Sequence, residues 1–204
     1  MAEGKVIIAD QTLQQSGGTV STVEFVDIDP SGYSALELIV NTRTNDNSVS
    51  NIYGNLKITL GTASGYLAST GTYSWFNLVW RGNDSNPTAS NAGTNNQSNL
   101  TGYMESVAIP TKYSLPSDEI DNRGCYASVL FTGVQDGKYT ACMGKSGFTR
   151  GRTHGDQTGF STSIGTVMNN NDATTKIKLQ TRHGSPFDPN QGLSSFMLVG
   201  WTNS

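Results

Sequence analysis

The sequence predicts an all-β fold on three observations. Apolar and polar residues alternate with period two wherever a pattern is clear, and apolar spacing of three and four never persists for the length of a normal helix. Clusters of Gly, Pro, Asn and Asp punctuate the alternating runs. The clearest pair lies near the C-terminus. Lys176-Ile177-Lys178-Leu179-Gln180-Thr181-Arg182 alternates, and Ser194 to Trp201, after a Gly/Pro/Asn loop, is nearly all apolar. The first pattern fits a half-buried strand, the second a strand deep inside a sheet.

The elements follow in order. Val20 to Val26 opens the series and leads into the Pro/Gly turn Asp27 to Gly32. Ser34 to Arg43 places Leu36, Leu38 and Val40 on one face and Glu37, Ile39 and Asn41 on the other. After the polar loop Asn45 to Ser50, Leu56, Ile58 and Leu60 alternate with Lys57 and Thr59. Tyr73 to Arg81 is an aromatic strand. Gly82 to Gly102, almost free of apolar residues, reads as a long loop of the functional or mobile kind. Tyr103 to Ile109 forms a short strand ended by Pro110, and Ser117 to Asp121 is the one place where a helical turn is expected. Asp136-Gly137 sets a hairpin with arms Tyr126 to Phe131 and Tyr139 to Met143, in which Gln135 faces Lys138 and Cys142 faces Phe131. Gly144 to Gly165 reads as loop-rich. Thr166 to Met168 is a short strand, and Asn169 to Asp172 is the turn before the closing pair.

Eight or so strands with long turns cannot share one sheet without leaving an apolar face uncovered. The expected architecture is therefore a two-sheet antiparallel β-sandwich, jelly-roll-like. Residues 1–19 read as an N-terminal arm, polar enough to order on a partner, and 20–204 as a single domain.

Composition narrows the function. Charged residues are 14% of the chain, against roughly 25% in average soluble proteins. The formal charge is -3, and the few Lys and Arg are scattered, so no nucleic-acid partner is expected. The apolar stretch Val6 to Ala9 is too short for a signal-peptide core, and no segment approaches the ~20 apolar residues of a membrane span. A chain made in the cytoplasm and not bound to membrane is the expectation. The sequons at Asn83, Asn96 and Asn99 read as chance in an Asn/Ser/Thr-rich stretch. Cys125 lies well out of register with Cys142 in the hairpin, so both are expected to be buried free thiols.

No chemistry-bearing motif stands out. His154 and His183 sit in Gly-rich stretches without a second ligand at metal spacing. Asp118, Glu119 and Asp121 lack calcium-loop spacing and read as turn caps. Asp10, Asp27, Asp29 and Asp84 lie mostly in expected turns, and no nucleophile elbow, phosphate loop or dinucleotide fingerprint is present. The expectation is a non-enzyme with no cofactor and no metal. The candidate ligand or subunit interface is the aromatic strand. Tyr73 and Trp75 lie on one face and Phe76 and Trp80 on the other, so one pair is core whichever way the strand lies.

Two stretches carry a family resemblance. Val23 to Arg43 contains an apolar-acidic strand, the turn Pro30-Ser31-Gly32-Tyr33 and a strand ending in Arg43, and Ser194-Ser195-Phe196-Met197-Leu198-Val199-Gly200 closes the chain. Together they resemble small structural proteins of tailed bacteriophages. Residues 44–175 depart from that pattern. Where the family has an Asn-Gly-Asp stretch and a Tyr-rich strand, this chain has Leu60 to Tyr66 and its own aromatic strand. The resemblance implies a β-sandwich virion subunit with no catalytic residues, made in the host cytoplasm. It points to a capsid decoration or cement protein on the outside of the head, as a homo-trimer, with the major capsid protein and copies of itself as partners. The alternative is a tail-fibre or receptor-binding module that presents residues 82–102 and 144–165 to a host surface glycan or protein.

Overall fold

The computed structural model describes residues 4–13, 20–44, 53–82, 93–110, 125–150, 157–182, 184–188 and 194–202. The strands are β1 (Lys5–Thr12), β2 (Thr22–Phe25), β3 (Tyr33–Asn41), β4 (Tyr53–Thr62), β5 (Gly65–Tyr66), β6 (Tyr73–Gly82), β7 (Gly93–Thr101), β8 (Met104–Pro110), β9 (Cys125–Thr132), β10 (Ala141–Arg150), β11 (Gln157–Val167), β12 (Lys176–Thr181) and β13 (Ser195–Thr202). They form two antiparallel sheets: an eight-stranded sheet in the order β1-β13-β3-β9-β10-β11-β6-β7, and a smaller one in the order β2-β12-β4-β5 with β8 also on β4.

Eight of these strands make a jelly roll. The quartets β1-β13-β3-β9 and β2-β12-β4-β8 face each other, and the chain alternates between them from β1 to β4, from β8 to β9 and from β12 to β13. That is the paired Greek-key path of the fold. The alternation read from sequence explains the core: Leu36, Leu38, Val40, Val129, Phe131, Phe196 and Leu198 meet Val23, Phe25, Leu56, Ile58, Leu60, Ile177 and Leu179, all buried. Each contributes about 1.5–3 kcal/mol of hydrophobic stabilisation. β13 lies between β1 and β3, an interior strand as its apolar sequence predicts.

The two stretches that carry the resemblance meet here. β3 and β13 pair from Asn41↔Ser195 to Ala35↔Trp201. Just beyond, the Thr42 and Ser194 hydroxyls lie 2.7 Å apart. Arg43 Nε donates to Asp188 Oδ2 at 2.6 Å, with both side chains buried.

The other strands of the large sheet are insertions, and they correct the sequence reading. β7 and β6 pair from Gly93↔Val79 to Thr101↔Tyr73, so much of the loop expected over 82–102 is a strand. The loop-rich stretch expected over 144–165 is mostly the β10–β11 pairing, and the short strand expected at 166–168 is the end of β11. The hairpin register is as expected: Cys142 pairs with Phe131, and Gly137 takes a positive φ of 78° in the turn. Both cysteines are free and buried, and burial pushes each thiol up to about 12. Residues 5–12 of the expected arm are β1, hydrogen-bonded to β13 as an edge of the sheet.

The inserted strands cover the edge of the smaller sheet. Every residue of β8 is buried, and the backbone groups it turns away from β4 need partners. Side chains from the insertion supply them. Ala108 N donates to Ser161 Oγ at 2.8 Å, Ser146 Oγ donates to Ala108 O at 2.7 Å, and Asn77 Nδ2 donates to Ser106 O. Ser106 and Ser163 add a hydroxyl pair at 3.0 Å. This close approach explains Gly144, where a Cβ would stand 2.6 Å from Ser163 Oγ and 2.7 Å from Val107 Cγ1.

Candidate functional site on the outer face of the inserted strands

Alternation decides what β6 presents. Tyr73 and Trp75 point inward and are buried. Tyr73 Oη accepts from Leu60 N at 2.9 Å and donates to Leu60 O at 3.3 Å, which fastens the insertion to β4. These two members of the aromatic quartet are core. Phe76 points outward and is 40% exposed. Trp80 stands opposite Phe160 in the β6–β11 register, and its side chain lies outside the described residues.

Phe76 does not stand alone. Registers across β9, β10, β11 and β6 align Leu130, Met143, Ile164 and Phe76 in one outward row. Met143 is 62% exposed and Ile164 60%. A second aligned row holds Tyr126, Gly147 and Phe160, with both rings about half exposed. Tyr139 and Met168, also exposed, lie where β10 and β11 leave the sheet. Five of the ten large apolar side chains exposed among the described residues therefore gather on this face: Phe76, Tyr126, Met143, Phe160 and Ile164.

A depression of about 380 Å³ opens on the same face, bounded by Glu37, Leu130, Met143, Lys145, Phe160 and Trp201, among others. Glu37 at its wall is held on three sides. Lys5 Nζ donates to it at 2.8 Å, Ser128 Oγ at 2.8 Å and Trp201 Nε1 at 3.2 Å. Burial acts to raise the Glu37 carboxyl, but the Lys5 and Ser128 hydrogen bonds, the Lys5 charge and Trp201 outweigh it and hold the group below the usual carboxylate range. Glu37 is thus an internally satisfied anion that ties β1 to β3 and β9, and Lys145 supplies the remaining charge of the depression.

The other sequence candidates fall elsewhere. Asp10 lies on β1 instead of in a turn, and Asp27, at a φ of 55°, and Asp29 stand in the turn before β3. His154, His183, Asp84, Asp118, Glu119, Asp121 and Asn83 lie outside the described residues, as does the helical turn expected over 117–121. Among the described residues no three His, Cys, Asp or Glu side chains cluster to hold a metal ion. Phe160 and Ile164 fall in the stretch read as loop-rich because Gly and Ser occupy the alternate positions of β10 and β11, and Met143, at the end of the expected hairpin arm, joins them only through the β10–β11 register. No family model matches this sequence, and no curated protein matches it.

Proposed function

We propose that this chain is a structural subunit of a bacteriophage virion, a capsid decoration or cement protein that binds the outer surface of the head and stabilises it, with copies of itself and the major capsid protein as partners. The observation that carries the reading is the gathering of five exposed apolar side chains on one sheet face. Patches of this kind mark sites where a protein, a membrane or a ligand is bound, and protein partners are the ones this reading supplies. The jelly roll is a fold shared by viral capsid proteins and lectins, so it supports the reading only by analogy. The receptor-binding alternative relied on long loops at 82–102 and 144–165, and much of both is strand. That weakens it relative to the assembly reading.

A subunit that binds only the assembled shell stabilises it by mass action. The test is the copy number of this chain in purified virions, relative to the major capsid protein, by quantitative mass spectrometry. A number comparable to the capsid protein is expected. A few copies per particle would move the chain to the tail or a vertex, and none would end the virion reading.

A further inference from the structure

The relief of the outer face indicates what covers it. The row Leu130, Met143, Ile164 and Phe76 is tall, and the next row along the strands, Thr132, Ala141, Thr166 and Ser74, is made of small side chains. Tyr139 and Met168, both exposed, flank the small row in sequence just outside the β10–β11 pairing, and beyond the tall row lie Ser128, Lys145, Thr162 and Leu78. A tall row therefore lies directly beside a low one. We propose that a second copy of this chain covers the face about a two-fold axis that runs across the strands, midway between the tall and small rows.

Such an axis lays each strand antiparallel over its own copy. Met143 then sits over the partner's Ala141, Ile164 over the partner's Thr166, Leu130 over the partner's Thr132 and Phe76 over the partner's Ser74. The same operation repeats each contact in reverse, as a self-complementary interface requires. An axis along the strands would instead set tall row on tall row and leave the small rows facing a gap, which close packing disfavours.

Size and charge agree with this occupant. Four strands about 4.8 Å apart and eight residues at about 3.3 Å cover about 500 Å² per copy, about 1,000 Å² for the pair, and a specific interface needs roughly that much. Little charge is desolvated. On this face Lys5 neutralises Glu37, which leaves Lys145 as the charge of the depression that the second copy meets.

The pairing rests on the reading of this face as an assembly surface, and its test uses the purified full chain alone. In sedimentation equilibrium the wild-type chain is expected at the mass of two chains and Met143→Lys at the mass of one, with the circular dichroism of the folded protein retained. Cross-linking fixes the axis. Because Cys125 and Cys142 are buried, a short bis-maleimide is expected to join a mixture of Ala141→Cys and Met143→Cys chains far more efficiently than either variant alone. A monomer or a trimer in solution, or Met143→Cys linking to itself as well as to Ala141→Cys, would overturn the proposal. A dimer of a chain missing from virions would sink the virion reading and leave the pairing standing.

Discussion

The jelly-roll half and the inserted strands of this protein distribute their side chains in opposite senses. In the jelly roll, Leu, Ile, Val and Phe fill the space between sheets. In the insertion, the centre of the inward face is Gly144, Ser146, Ser161, Ser163 and Asn77, and Met143, Ile164 and Phe76 point outward. The contrast follows from what each half packs against. The jelly roll closes a dry core between two full sheets, whereas the insertion lies against the edge of β8, where backbone groups need hydrogen bonds more than they need apolar cover. With the centre of its inner surface committed to that task, the insertion keeps Tyr73, Trp75 and Val79 inside but carries Phe76, Met143, Phe160 and Ile164 outside, where only another molecule can bury them.

The largest effect that would sharpen the comparison belongs to the jelly-roll half. Asp188→Ala leaves the Arg43 guanidinium buried without its carboxylate, and breaking such a pair costs about 3–5 kcal/mol. Urea denaturation of the variant is expected to show a loss of that order. A loss under about 1 kcal/mol would mean that Arg43 finds water or another partner easily, and that this junction of β3 and β13 is not a rigid part of the fold.

The intermediate effect belongs to the insertion. Ser161→Ala removes the acceptor for Ala108 N and the hydroxyl 2.7 Å from Ser146 Oγ, and an unpaired buried backbone donor costs about 1–3 kcal/mol. Hydrogen exchange is expected to show faster exchange at Ala108 and along β8 than along β3 or β13. Uniform acceleration over both sheets would mean that the insertion and the jelly roll open as one unit, and the contrast between them would be structural only.

What the sequence revealed divides along the same line. β3, β4, β12 and β13 were legible because apolar side chains facing a dry core must alternate with period two, as Leu36-Leu38-Val40 and Leu56-Ile58-Leu60 do. The hairpin register at Cys142↔Phe131 was legible from the Asp-Gly turn alone. β7 was not, because an Asn/Ser/Thr strand at a sheet edge is held by its backbone pairing to β6 and needs no apolar pattern. Nor was the greater part of β10 and β11, between the hairpin arm ending at Met143 and the short strand from Thr166, because its Gly and Ser positions are set by the close approach of β8, a contact distant in sequence. The aromatic strand pointed toward the outer face through Phe76, but Met143 and Ile164 join Phe76 only through pairings across three strands.

The smallest effect tests the boundary between the two halves, where Glu37 of β3 binds Ser128 of β9, Trp201 of β13 and Lys5 of β1. Lys5 is half exposed, so Glu37→Gln is expected to cost only about 1 kcal/mol at neutral pH. The sign of the pH dependence is more discriminating than the size. Since the folded-state carboxyl lies below its unfolded value, its contribution is complete above the unfolded value and vanishes as pH falls through the folded one. Wild-type β1 amides should therefore lose exchange protection in acid, below the ordinary carboxylate range, after correction for intrinsic exchange rates. In Glu37→Gln that acid-dependent loss should be flattened, with weaker β1 protection already present at neutral pH. Equal acid sensitivity in the two proteins would assign the edge strand's attachment to the β1–β13 backbone ladder alone, and the wall of the depression would then be independent of β1.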